Sequence, residues 1–173
     1  MKKRVVLGGG CFWCTEGVFK RVKGVLNVVS GYTGGARPNP TYENICTGVS
    51  GHAEIIDIEY DESLISLENL LEIFFATHNP TTLNQQGADK GTQYRSVVYY
   101  NQKEEKEIIL NAIQKAQLNF KDKIVTEVSP LGDVYKAEEY HQNYYNQNSS
   151  QGYCQVVIEP KIEKFMLEFS EFL

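Results

Sequence analysis

The stretch 5–14 constrains the fold more than any other part of the chain. A β-branched and leucine run, Val5-Val6-Leu7, breaks into Gly8-Gly9-Gly10 and leads straight into Cys11-Phe12-Trp13-Cys14. Residues 4–8 read as a short buried strand. Residues 11–23 carry apolar side chains at Phe12, Val18, Phe19 and Val22 and read as a helix that Gly24 stops. A strand that ends in glycines and feeds a helix puts Cys11 at the helix N-terminus, where free backbone N–H groups and the helix dipole favour an anion. The spacing therefore predicts a thiol of lowered pKa at Cys11. A plainer reading makes the glycines a tight turn and Cys11 a packed hydrophobe. The adjoining Phe12-Trp13 pair favours a site.

Beyond the helix, strands and helices alternate irregularly. Residues 25–32 read as a second strand, and 31–51, dense in Gly, Pro, Asn, Ser and Thr, as a long loop. Such loops are usually functional or disordered, and the Tyr32, Tyr42 and Cys46 in this one disfavour disorder. In 53–60, Ile56, Ile58 and Tyr60 alternate with Asp57 and Glu59, the pattern of a half-buried strand. Ser66 caps a helix with Leu67, Leu70, Leu71 and Phe74 on one face, ended by Asn79-Pro80. A polar loop over 81–93 precedes a strand at 94–100. Asn101 with Glu104 resembles a capping box for a charged helix to about 119. A strand at 124–128 and a helix at 137–145 follow. Residues 146–152 read as a flexible linker, 153–159 as extended, and Pro160 as the start of a last helix. Its stripe of Ile162, Phe165, Met166 and Phe169 packs on the core rather than on a membrane, because Glu163, Glu168 and Glu171 interrupt it.

The order predicts an α+β protein: a ferredoxin-like two-layer α/β sandwich with a mixed sheet, long loops and an extended C-terminal tail. The 173 residues suit a single domain over 1–173, with the tail from about 146 as its last segment. A net charge of −5 leaves no basic stripe for nucleic acid. No apolar run approaches the roughly 20 residues of a membrane span, and the run after Met1-Lys2-Lys3-Arg4 is too short for a signal peptide. The expectation is a cytoplasmic protein, in which a disulfide framework is disfavoured and the four cysteines are catalytic, metal-binding or buried.

Three chemistries fit Cys11 and Cys14: a thioredoxin-like CxxC dithiol, a zinc site, or one nucleophile in an aromatic pocket with a separate acid and a distant resolving thiol. Zinc needs two more ligands at close spacing, and Cys46, Cys154, His52, His78 and His141 are scattered.

The motif "GGGCFWCTEGVF" resembles the signature of the A-type peptide methionine sulfoxide reductases (MsrA). "GYTGG…NPTYENICTGVSGHAE", "NQQGADKGTQYRS", "AEEYHQNY" and "GYCQVVIEPKIEKF" resemble further blocks of that family in the same order, from about residue 5 to 169. The resemblance implies that Cys11 attacks the sulfoxide sulfur and that Phe12 and Trp13 wall the S-methyl group. It implies that Glu54 protonates the sulfoxide oxygen, that Tyr42 and Tyr94 donate hydrogen bonds to it, and that Asp89 shapes the site. His52 has a supporting role at most. Cys11 would become a sulfenic acid, a second thiol would close a disulfide, and thioredoxin would restore the enzyme. The S epimer of methionine sulfoxide, free or in proteins, is the implied substrate. No cofactor or metal is implied, and the protein is expected to be a monomer.

Cys154 matches the family's usual resolving position and follows the polar linker. Cys14, where many members carry a small residue, is the alternative or a second relay. Cys46 reads as a loop thiol packed under tyrosines. A dithiol oxidoreductase and a non-catalytic, redox-sensing binding module are the rival functions.

Overall fold

The structure, a computed structural model, describes residues 2–173. Chain order runs β1 (Lys2–Gly8), α1 (Phe12–Phe19), β2 (Val25–Thr33), α2 (Tyr42–Cys46), β3 (Ala53–Asp61) and α3 (Leu67–Ala76). It continues through a small hairpin, β4 (Gln85–Gln86) and β5 (Asp89–Lys90), then β6 (Val97–Tyr100), α4 (Glu105–Gln117), β7 (Glu127–Pro130) and β8 (Tyr135–Lys136). A short helix α5 (Tyr144–Asn148), a π-helical turn (Cys154–Ile158) and α6 (Glu159–Glu168) complete it.

The main sheet has the order β7-β6-β1-β3-β2-β8. Its inner four strands, β6-β1-β3-β2, joined through α1 and α3, are the expected ferredoxin-like arrangement. β6 and β7 pair in parallel and the other neighbours antiparallel, so the sheet is mixed as expected. Side chains alternate across it. Val5 and Leu7 of β1 with Ile56 and Ile58 of β3 join the large core under the helices, whereas Val6, Ile55 and Val97 meet Leu131 and Val134 on the other face. Glu54 shares the parity of Ile56 and Ile58. A carboxylate is thereby carried to the helical side of the sheet.

Several local expectations shift. The first helix ends at Phe19 and passes through turns to Gly24. The long loop carries α2, capped by a reciprocal Thr41–Asn44 box. Residues 92–94 form a 3₁₀ turn, so the next strand starts at Val97. Helix α4 starts at Glu105, whose own Oε1 accepts from the Asn101 and Gln102 N–H groups, in place of an Asn101–Glu104 box. The strand expected at 124–128 lies at Glu127–Pro130. The largest correction concerns the tail: 153–159 is helical, not extended. Its buried residues Cys154, Ile158, Ile162 and Phe165 recur at four, four and three residues, the spacing of one helix face that continues into α6.

Candidate active site

Gly10 takes φ +91, a left-handed conformation that suits glycine, and turns the chain from β1 into α1. Cys11 is the N-cap of α1, with φ −64 and ψ 129 and no side-chain cap of its own. The first free N–H of the helix, that of Phe12, donates instead to Glu54 Oε1 at 3.1 Å. Strand β3 thus caps the helix that carries the cysteine. Glu54 is buried, and its second oxygen, Oε2, has no partner among the described residues. Burial pushes its pKa up to about 8; the Phe12 N–H and the Cys11 thiol pull the other way, and Asp89 adds to the rise. At neutral pH this carboxyl carries a proton.

The thiol does not follow the helix-terminus argument. Burial raises the Cys11 pKa well above the ordinary thiol value, and the charges of Glu54 and Cys14 add to the rise. The magnitudes explain the outcome. A helix terminus contributes about 0.3–1 kcal/mol; the Trp13 N–H and the Tyr153 hydroxyl bond to the sulfur and pull its pKa down, but by less than burial raises it. Full burial can move a pKa by about 3–5 units, at about 1.4 kcal/mol each. Cys11 is therefore a thiol at neutral pH.

The aromatic residues line up around this pair. Phe12 is fully buried, 5.6 Å from the Tyr32 ring and 5.1 Å from the His141 ring. Trp13 is half-buried and lies flat on Tyr144, with centroids 3.8 Å apart and planes 8° apart. Its Nε1–H donates to His141 Nδ1 at 3.0 Å. Tyr42 opens α2, its ring 4.5 Å from that of His141, and Tyr94 closes the 3₁₀ turn before β6. Burial first, and Glu54 second, hold both phenols protonated. Asp89, on the hairpin, accepts from the Tyr153 hydroxyl at 3.0 Å. His52 lies outside this group: Nε2–H donates to the Arg37 carbonyl and Nδ1 accepts from the Gly35 N–H, so it staples the loop before α2.

Sequence reasoning missed four residues here. Tyr153 reaches over the site from the tail, its ring edge-on to Trp13 and its hydroxyl facing the Cys11 and Cys14 thiols. Tyr144 and His141 back Trp13. Glu138 accepts from the Tyr32 hydroxyl and the Tyr42 N–H, fixing the start of α2. All four lie in or beside the "AEEYHQNY" and "GYC" blocks, but tyrosines are too common in this chain for residue type to single them out.

All four cysteines are free thiols. Cys14 is buried on the first turn of α1, its N–H bonded to the Cys11 carbonyl at 3.1 Å. Cys154 is fully buried at the start of the π-helical turn, so it does not hang from a mobile linker. Cys46 is exposed at the end of α2, next to Tyr42, rather than packed beneath tyrosines. Among the described residues no set of three or more His, Cys, Asp and Glu side chains is placed to hold a metal, and no helix is long and apolar enough to cross a membrane.

A family model described as peptide methionine sulfoxide reductase matches residues 3–171. The chain is 55% identical to peptide methionine sulfoxide reductase MsrA of Nitratiruptor sp. over 173 residues, covering 100% of this chain and 99% of that protein. It is 51% identical to the MsrA of Polynucleobacter asymbioticus, covering 99% and 91%. Among solved structures, Mxr1 of Saccharomyces cerevisiae in reduced form superposes with a TM-score of 0.84 at 32% identity, covering 88% of this chain and 89% of that one. Mxr1 in complex with Trx2 shares the fold at a TM-score of 0.60 and 22% identity, covering 83% and 84%.

Proposed function

The chain belongs to the peptide methionine sulfoxide reductase family, and from that premise we propose how its own residues reduce a methyl sulfoxide. The observation that carries the reading is a buried, protonated Glu54 with one orphaned oxygen beside a buried Cys11 thiol. A sulfoxide offers what that oxygen lacks: a strong acceptor.

The substrate's S-methyl group lies against Phe12 and Trp13, and its oxygen faces Glu54, Tyr42 and Tyr94. The two phenols cannot give up their protons at neutral pH, so they act as hydrogen-bond donors. Asp89 and Tyr153 close the site above. Glu54 Oε2 delivers its proton to the sulfoxide oxygen as the Cys11 sulfur attacks the substrate sulfur. The thiol proton returns to the carboxylate, so Glu54 ends as it began. The raised pKa of Cys11 thus matters less than it would for a free thiolate, because its proton has an acceptor when attack begins. The oxygen leaves with Cys11: Cys11–SH and the sulfoxide become Cys11–SOH and the thioether. Fixing methyl and oxygen at once selects one epimer at sulfur, and the family's S epimer is the one assigned.

A second thiol then attacks the Cys11 sulfenic acid, giving a disulfide and water. Cys154 is that thiol. It begins a π-helical turn, a rare conformation that marks functional sites, one residue after Tyr153, which already reaches Cys11. Unwinding this one turn withdraws Tyr153 and frees Cys154 together. Cys14 is the second reading, favoured by its hydrogen bond to the Cys11 carbonyl, which keeps the two residues one helical turn apart. A dithiol donor, thioredoxin, reduces the disulfide by exchange; the complex of Mxr1 with Trx2 accords with this. The net reaction is sulfoxide plus dithiol to thioether, disulfide and water. Such a cycle suits a reducing compartment, and we place the protein, as a single catalytic domain and a monomer, in the cytoplasm.

Epimer-resolved reduction of methionine sulfoxide with thioredoxin, by wild type and Glu54→Gln, tests the reading. Reduction by the wild type and its loss in the variant support it. Equal rates would remove the acid role. A wild type that reduces insulin disulfides but no sulfoxide would mark a dithiol oxidoreductase.

A further inference from the structure

The two glycines before Cys11 are gripped by different side chains, Gly9 by Phe74 and His78 and Gly10 by Gln86. A β-carbon on Gly9 would lie 2.9 Å from Phe74 Cε1 and 3.0 Å from His78 Cδ2, so these rings pack directly on that backbone. A β-carbon on Gly10 would lie 2.6 Å from Gln86 Cγ, so the Gln86 stem covers the next residue.

Both grips are themselves anchored. His78 is buried, with Nδ1–H donating to the Phe74 carbonyl at 2.5 Å and Nε2 bonded to the Ser96 hydroxyl at 2.8 Å. Ser96 in turn meets the Thr126 hydroxyl at 2.8 Å. The Gln86 amide closes a ring with Asn79: the Asn79 N–H donates to Oε1 at 3.0 Å, and Nε2–H donates to the Asn79 carbonyl at 2.9 Å. Because Asn79 follows His78 directly, the two grips form one structure. Gln86 also pairs with Asp89 across the hairpin, which ties the grip on Gly10 to the residue that holds Tyr153.

We propose that His78 and Gln86, joined through Asn79, are positioning residues that clamp the Gly9–Gly10 backbone and so fix where the Cys11 sulfur points; this rests on Cys11 being the nucleophile. Gln86 reaches the chemistry through the peptide that carries Cys11. The main consequence is for the attack step, because a misplacement of about 1 Å at a reacting atom can cost about a hundred-fold in rate. The methyl pocket, built by Phe12, Trp13, His141 and Tyr144, lies on the other side of Cys11 in sequence and does not use the clamp.

The test compares Gln86→Ala with wild type in single-turnover reduction of a methionine-sulfoxide peptide, beside steady-state kcat and KM and thermal melting. Gln86 is half-buried, so its variants are expected to fold. In Gln86→Ala the first-turnover rate should fall by about ten-fold or more while KM stays within about two-fold. Gln86→Met, which keeps the stem over Gly10 but loses both amide bonds, should fall between the two, and it carries the test if the alanine variant does not fold. Wild-type first-turnover rates in both variants, or a loss confined to KM, overturn the clamp. Cys11→Ser separates the failures: a live first turnover there would remove the nucleophile assignment, whereas an inactive Cys11→Ser beside a fast Gln86→Ala would remove the clamp alone.

Discussion

The Phe12 backbone N–H donates to Glu54 Oε1 at 3.1 Å, so the residue after Cys11 is tied to a carboxyl on strand β3. One oxygen of Glu54 holds the helix that carries Cys11, and the other has no partner among the described residues, which is the oxygen the proposed mechanism uses. A glutamine could keep the first role and not the second.

Glu54→Gln should therefore fold and fail at chemistry, with first-turnover reduction slower by about a hundred-fold or more. The acid form of Glu54 persists up to about pH 8, so wild-type attack should decline as pH rises through that value. The stability sign follows from the same shift. Between the ordinary carboxylate range and about pH 8 the folded state binds the Glu54 proton more tightly than the unfolded chain, so stability falls as pH rises. Melting curves from pH 5 to pH 9 should show this slope in wild type and a flatter one in Glu54→Gln. Parallel curves would count against a protonated Glu54.

Alkylation of the reduced protein should follow exposure and not helix position. Iodoacetamide at neutral pH should label Cys46 first, because it alone of the four thiols is exposed. Cys11 should react slowly and speed up only at alkaline pH, since burial raises its pKa. Fast labelling of Cys11 at pH 7, read by peptide mass spectrometry, would restore a helix-activated thiolate.

Cys154→Ser should complete one turnover and then recycle with thioredoxin at least about ten-fold more slowly than wild type, while Cys14→Ser keeps most of the multiple-turnover rate. The reverse pattern would make Cys14 the resolving thiol.

Glu16 is a buried carboxylate whose oxygens accept from the Tyr144 N–H at 3.1 Å and the Ser30 hydroxyl at 3.2 Å. Glu16→Ala leaves both donors unpaired, at a cost of about 1–3 kcal/mol, or a melting temperature lower by roughly 3–10 °C. Trp13, the single tryptophan, stacks on Tyr144, so its fluorescence should shift in the same variant. An unchanged spectrum would show that Glu16 does not hold the aromatic wall.

Much of the fold was legible where period and punctuation agree. The strand before the glycines, the alternation at 53–60 and the Ser66-capped helix appear nearly where the spacing puts them. The segment 153–159 was misread because Pro160 implies a break, whereas the buried residues from Cys154 to Phe165 recur with a helical period that runs through it. For the site, motif order pointed to Cys11, Glu54 and the aromatic pair, and the fold brings these together. Tyr153 and Tyr144 stayed hidden because nothing local distinguishes a tyrosine that crosses the molecule from one that covers the surface.

By itself the sequence determined the chemistry on offer: a cysteine after three glycines, a carboxylate at the right parity on a strand, and the blocks that mark the family. Only the tertiary structure decided the protonation states. A helix N-terminus argues for a thiolate at Cys11, and a glutamate is ordinarily charged. Closing the tail and the sheet over both removes the water that would stabilise either charge. Local sequence sets the dipole, but the surrounding fold sets the desolvation, and at this depth desolvation is the larger of the two.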